Sequence, residues 1–257
     1  MQGKPSVTVP IDKTRQGRGA AFNGDYDAAL AALRDHLGEL QLSQIANGRR
    51  AIILFEGPEG AGKKQALKQL ASAFDACHFA VHSIRFDRRE AGEGHWLARF
   101  WRELPGAGDT AIFFRSWYRR VIDDRILGRT DAKSVARAFD EINEFEAQQR
   151  DYGTLIVKLY FDVSNDVQEK RLAARAANPW SRAIAKEDAF RVSEPVYAQA
   201  LADLQKNTDT RWSPWHMIDG DDERSAVLSA LGAIADAWAE AMPAEPPHLV
   251  GKPTRAA

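Results

Sequence analysis

A single cysteine, Cys77, stands among 257 residues, so the chain cannot form an intrachain disulfide. No apolar run approaches the roughly 20 residues that cross a bilayer. The first residues are polar and basic and lack an apolar signal core. These absences point to the cytoplasm of a prokaryote or an equivalent reducing compartment. Charge of one sign is also lacking: 35 Lys and Arg face 36 Asp and Glu, for a net charge of -1 and a pI near 6.6. That balance excludes global attraction to nucleic acid or an anionic membrane, so a polyanion would have to be met by a local basic channel. His36, His78, His82, His95, His216 and His248 show no metal-ligand spacing, and no Ser-His-Asp or Cys-His motif is present. There is no internal repeat.

What is present is ample apolar content, 44% of the chain, enough for one continuous core. Residues 1–24 and 243–257 lack periodic apolar content and read as flexible ends, leaving one domain over 25–242. Leu30, Leu33, Leu37, Leu40 and Ile45 recur mostly three or four residues apart, which predicts an amphipathic helix over 26–47. Strands are expected at 51–56, 79–86, 110–114, 155–163 and 215–218. Helices are expected after residue 63 and at 96–104, 117–127, 135–149, 167–177, 197–204 and 225–241, with a polar stretch at 178–188 interrupted by Pro179. Such alternation predicts an α/β fold, a three-layer sandwich with a mainly parallel sheet and helices on both faces. The seven tryptophans, at 96, 101, 117, 180, 212, 215 and 238, are scattered among helical stripes and are expected to pack in the core and lid.

The run Gly57-Pro58-Glu59-Gly60-Ala61-Gly62-Lys63-Lys64 follows the apolar strand and opens a helix. Its G-x-x-x-x-G-K spacing is that of a phosphate cradle, in which glycines admit backbone N–H groups to an anion and the lysine adds a full charge. Gly57, Gly60, Gly62, Lys63 and Lys64 are therefore the candidate phosphate-binding set. The Ser or Thr that usually follows the lysine and serves Mg²⁺ is absent, Lys64 standing in its place, and Glu59 is the nearest carboxylate for a metal. A second basic cluster, Arg115, Arg119 and Arg120, lies just past the third strand, at the sheet edge where ligands bind. Arginine forks there suit phosphate. A third cluster is Gln168, Arg171 and Arg175, in which the two arginines share one helix face four residues apart, where like charges repel unless an anion lies between them.

Phe55-Glu56-Gly57, the run from Trp96 to Pro105, Arg115-Ser116-Trp117-Tyr118, Phe145-Glu146, Gly153-Thr154 followed by Lys158, and Pro214-Trp215 occur in an order that resembles the family-2 polyphosphate kinases over residues 26–240. The resemblance implies a P-loop kinase-like fold with a helical lid, at about residues 178–195. It implies phosphoryl transfer between inorganic polyphosphate and a nucleoside mono- or diphosphate (AMP, GMP, ADP or GDP), with Mg²⁺ or Mn²⁺ as cofactor and a homo-oligomer as the assembly. By position, Gly57, Gly62 and Lys63 would cradle phosphate, Glu59 would stand where the family has an aspartate, Arg115 and Arg120 would face the transferring group, and Arg171 and Arg175 would match lid-side arginines.

The chain departs from that pattern at four places. The family aspartate before Arg-Ser-Trp-Tyr is Phe114, which has no oxygen to offer a metal. Lys64 replaces a glycine, Arg119 an asparagine, and the lid's Trp-Lys pair is missing around Ala183 and Ile184. These losses raise the alternative of a catalytically impaired protein that binds polyphosphate or nucleotide as a regulatory subunit. A thymidylate-type kinase using ATP is a third reading, and the Arg-Ser-Trp-Tyr element argues against it.

Overall fold

The computed structural model describes residues 20–84, 94–183, 190–193 and 195–243. Helix α1 (Tyr26–Ala46) comes first, capped by Asp25, whose carboxylate accepts from the Asp27 and Ala28 amides at 3.1 Å. Five strands follow with helices between them: β1 (Arg50–Glu56), α2 (Lys63–Ala71), β2 (Phe79–Ser83), α3 (Ala98–Trp101), β3 (Thr110–Phe114), α4 (Asp123–Ile126), α5 (Ala132–Asp151) and β4 (Thr154–Asp162). Then come α6 (Asn165–Ala177), α7 (Pro179–Ala183), α8 (Pro195–Thr208), β5 (Trp215–Asp219) and α9 (Glu223–Ala241).

The four strand pairings of the sheet are parallel and the order is β2-β3-β1-β4-β5. Strand β1 lies at the centre, so Ala51 through Phe55 are buried on both faces, and its sequence is correspondingly apolar without alternation. Its odd positions, Ala51, Ile53 and Phe55, enter a core shared with α1, α2 and α9. Ile52 and Leu54 enter a second core on the opposite face, with Phe100 of α3, Ile142 and Phe145 of α5 and Leu204 of α8. The expected three-layer α/β architecture is thus present. No helix among the described residues is long and apolar enough to cross a membrane.

Four local readings change. The helix expected over 117–127 is instead a 3-10 turn, Trp117–Arg120, followed by the single turn α4. Trp117, Tyr118, Val121 and Ile122 are all buried, and so many inward side chains in six residues do not fit one stripe of a regular helix. The helix expected over 96–104 shrinks to α3, because Leu104 precedes Pro105 and is pushed out of the helical region. Pro179 begins α7, a first-turn position where its missing N–H costs nothing. Trp180, expected to pack in the lid, is 84% exposed. The N-terminal segment 1–19, the tail beyond 243, the strand residues 85–86, and residues 184–189 and 194 of the expected lid lie outside the described residues.

Candidate functional site

The chain leaves β1 for α2 on one face and leaves β3 for α4 and α5 on the other, so a crevice opens between the C-terminal ends of β1 and β3. Ligands of parallel sheets bind at such a switch point. The glycine loop fills one wall. A Cβ at Gly57, which has φ 120°, would lie 2.0 Å from the Phe161 carbonyl oxygen, so only glycine lets the loop pass the end of β4. Gly62 has φ 91° and precedes the first turn of α2; a Cβ there would meet nothing, which keeps the space over the helix start clear.

Lys63 is the first residue of α2 and is buried. Its ammonium donates to the carbonyls of Gly57 and Pro58, the latter at 2.6 Å, and lies 5.8 Å from the centre of the Phe114 ring. Burial, followed by the nearby Arg115 charge, brings its pKa down to about 7. Phe114 itself pairs with Phe55 across β1 and β3, and its ring lies beside the lysine.

Arg115 is the only non-glycine residue with positive φ among the described residues, at 65°. Such a backbone costs about 1–3 kcal/mol and is found where a side chain must be aimed. Its guanidinium is buried: Nη1 pairs with Asp123 and Nη2 lies 3.5 Å from Glu59 Oε1. Burial works against its charge, but Asp123, Glu56 and Glu59 outweigh it and raise the pKa. The other oxygen of Glu59 accepts from Arg175 Nη1 at 2.7 Å, so the loop carboxylate is held between two arginines. Glu56, the last residue of β1, accepts through Oε1 from the Ser116 amide at 2.6 Å and hydroxyl at 2.7 Å. Burial and then the Asp123 charge push its carboxyl up to about 7. Glu56 Oε2 and Asp123 Oδ2 are buried and have no hydrogen-bond partner among the described residues. Asp123 carries no signal in the sequence beyond its charge, and only the fold places it against Arg115.

Helix α6 supports the loop from behind. Gln168, fully buried, donates to the Glu59 carbonyl at 3.0 Å and to the Phe190 carbonyl at 3.2 Å, and accepts from the Val192 amide. Arg171 donates to the carbonyls of Gly60, Gly220 and Asp221 at 2.7, 2.6 and 3.0 Å, joining the loop to the turn before α9. The repulsion expected between Arg171 and Arg175 is thus relieved within the protein, by carbonyls for the first and by Glu59 for the second. Arg120 lies over Trp96, 5.6 Å from the ring centre; Arg119 is buried, with Nε 3.3 Å from Asp124. Lys64 is exposed near the start of α2.

The remaining motif residues gather in one buried cluster behind the crevice. Lys158 of β4 donates to Glu146 at 3.1 Å, to the Thr208 carbonyl at 2.7 Å and to the Tyr118 hydroxyl at 3.3 Å, and Trp117 donates to Glu146 at 2.9 Å. Trp215 closes the cage, its ring centre 5.3 Å from the Lys158 nitrogen. These residues shape and hold the site but do not reach into it.

The family model for polyphosphate kinase 2 matches residues 21–246. A polyphosphate:AMP phosphotransferase of Pseudomonas syringae is 32% identical over 219 residues, 84% of this chain and 44% of that protein. A GDP-polyphosphate phosphotransferase of Mycobacterium tuberculosis is 28% identical over 225 residues, 85% of this chain and 75% of its own length. The crystal structure of a polyphosphate kinase 2 from Pseudomonas aeruginosa superposes with a TM-score of 0.80 at 30% identity, covering 86% of this chain and 48% of that one. The chain spans about half the length of the polyphosphate:AMP phosphotransferase it matches.

Proposed function

Because this chain belongs to the polyphosphate kinase 2 family, we propose that it transfers the terminal phosphoryl group between inorganic polyphosphate and a nucleoside mono- or diphosphate. The observation that carries the reading is the convergence of Lys63, Arg115 and Arg175 around the glycine loop at the β1–β3 crevice. In the direction of nucleotide synthesis, a phosphate oxygen of the nucleotide attacks the terminal phosphorus. The anhydride P–O bond breaks, and the polyphosphate leaves one unit shorter with the bonding electron pair on its new terminal oxygen. Little covalent chemistry is asked of the protein; positioning and charge neutralisation lower the barrier.

Gly57, Gly60 and Gly62 let the loop amides approach the phosphate chain, while Lys63 and exposed Lys64 add charge at the start of α2. Arg115 and Arg175 exchange Glu59 for phosphate oxygens when the anion enters. Arg120, on its Trp96 platform, supplies charge on the β3 side. Arg171 acts by holding the loop. A divalent cation, Mg²⁺ or Mn²⁺, would neutralise developing charge on the phosphates. Glu59 is the loop carboxylate able to take it once its arginines turn to phosphate. One carboxylate fits Mg²⁺, which completes its shell with phosphate and water. The relatives are named for AMP and GDP transfer, which favours turnover over the binding-only alternative.

The test is incubation with long-chain polyphosphate and AMP, ADP, GMP or GDP, with Mg²⁺ or Mn²⁺, and chromatography of the products. A nucleotide longer by one phosphate supports the reading. No product from any acceptor, in either direction, contradicts it.

A further inference from the structure

Two buried carboxylate oxygens beside the crevice have no hydrogen-bond partner among the described residues. Glu56 is 0% and Asp123 2% exposed, and in each one oxygen is bonded while the other, Glu56 Oε2 and Asp123 Oδ2, has no partner. A buried unsatisfied acceptor costs about 1–3 kcal/mol, and more when charged. The two groups come from opposite walls: Glu56 ends β1, and Asp123 begins α4 after β3. Adjacent residues join them: the Arg115 guanidinium pairs with Asp123, and the amide of Ser116, the next residue, donates to Glu56. The Arg115 guanidinium and the Lys63 ammonium both act on the two of them and on Glu59. Phe114, which ends β3 beside Phe55, has no oxygen to offer.

We propose that Glu56 Oε2 and Asp123 Oδ2 bind a divalent cation, Mg²⁺ or Mn²⁺, supplying from either side of the crevice the carboxylate ligand that Phe114 lacks. Among the described residues no group of three or more His, Cys, Asp or Glu is placed to hold a metal. A two-carboxylate site leaves the other positions to water and phosphate, which suits a small hard cation and not one needing an all-protein cage. The use of this cation in catalysis rests on the phosphotransferase reading; its binding does not.

The experiment is a Mn²⁺ titration of the full chain without any phosphate, reading free Mn²⁺ by electron paramagnetic resonance. One Mn²⁺ per chain is expected. Asp123→Asn and Glu56→Gln should each weaken it at least tenfold. Asp123→Asn removes a buried partner of Arg115, so circular dichroism accompanies each variant, and Glu56→Gln carries the test if Asp123→Asn does not fold. Adding Phe114→Asp to Glu56→Gln should restore Mn²⁺ affinity. No bound Mn²⁺ in the parent protein, or affinity indifferent to both substitutions, overturns the proposal. Polyphosphate binding in EDTA, measured in parallel, reports on the phosphotransferase reading separately: its absence would count against that reading whatever the Mn²⁺ result.

Discussion

Lys63 is asked to be charged for an anion while buried against its own loop. Its folded pKa of about 7 lies below the ordinary 10.5, so between those values the folded state binds fewer protons than the unfolded one. Stability contributed through Lys63 therefore rises as pH climbs from about 7 towards 10, and below about 7 the cost of the buried ammonium is present in full. Denaturant unfolding from pH 6 to 9 should show Lys63→Met gaining on the parent protein at low pH and losing that advantage as pH rises. A gap independent of pH would show that the lysine is not buried as described. Its loop position, the G-x-x-x-x-G-K spacing and the arginines after β3 were legible in the sequence because local spacing encodes them. The pairing of Asp123 with Arg115 was not, since it depends on a left-handed residue and a broken helix that no periodicity announces.

Among the elements, α6 governs the loop. Gln168 and Arg171 hold two of its carbonyls, those of Glu59 and Gly60, and Arg171 ties them to the turn at Gly220. Arg171→Ala leaves buried carbonyls unmatched and should cost about 1–3 kcal/mol, with weaker polyphosphate binding as the loop loosens. Arg175→Ala should weaken polyphosphate binding while changing stability by no more than about 1 kcal/mol, since its side chain is 41% exposed. Thermal unfolding beside a binding titration separates the two, and equal stability loss in both variants would contradict this division. A four-residue spacing reads as one helix face in sequence; what each arginine meets is settled by the loops packed against that face. Gly57→Ala should be worse tolerated than either, because its Cβ would collide with the backbone of β4.

In the whole molecule, two cores flank a central strand and a buried charge cage stands behind the crevice. Lys158 and Glu146 are fully buried and pair at 3.1 Å. Removing one partner leaves an uncompensated charge, so Lys158→Met should destabilise by about 3–5 kcal/mol, and Lys158→Met with Glu146→Gln should recover part of that loss. Urea unfolding of both variants checks this; additive losses would mean that the pair does not act together. Layer order and sheet direction were readable from alternating apolar segments. That Phe145-Glu146, Lys158, Trp117-Tyr118 and Trp215 form one cluster was not, because their contacts span distant parts of the chain and depend on strand order.

The central claim is that the loop at the β1–β3 crevice is where phosphate is held and transferred. Polyphosphate-to-nucleotide transfer should therefore be compared in the parent protein and Lys63→Ala, with folding of both checked by circular dichroism. The parent should carry out the transfer, and the variant should fall by about 10²–10³-fold. Equal rates in the two proteins would contradict it and place the reacting phosphate elsewhere.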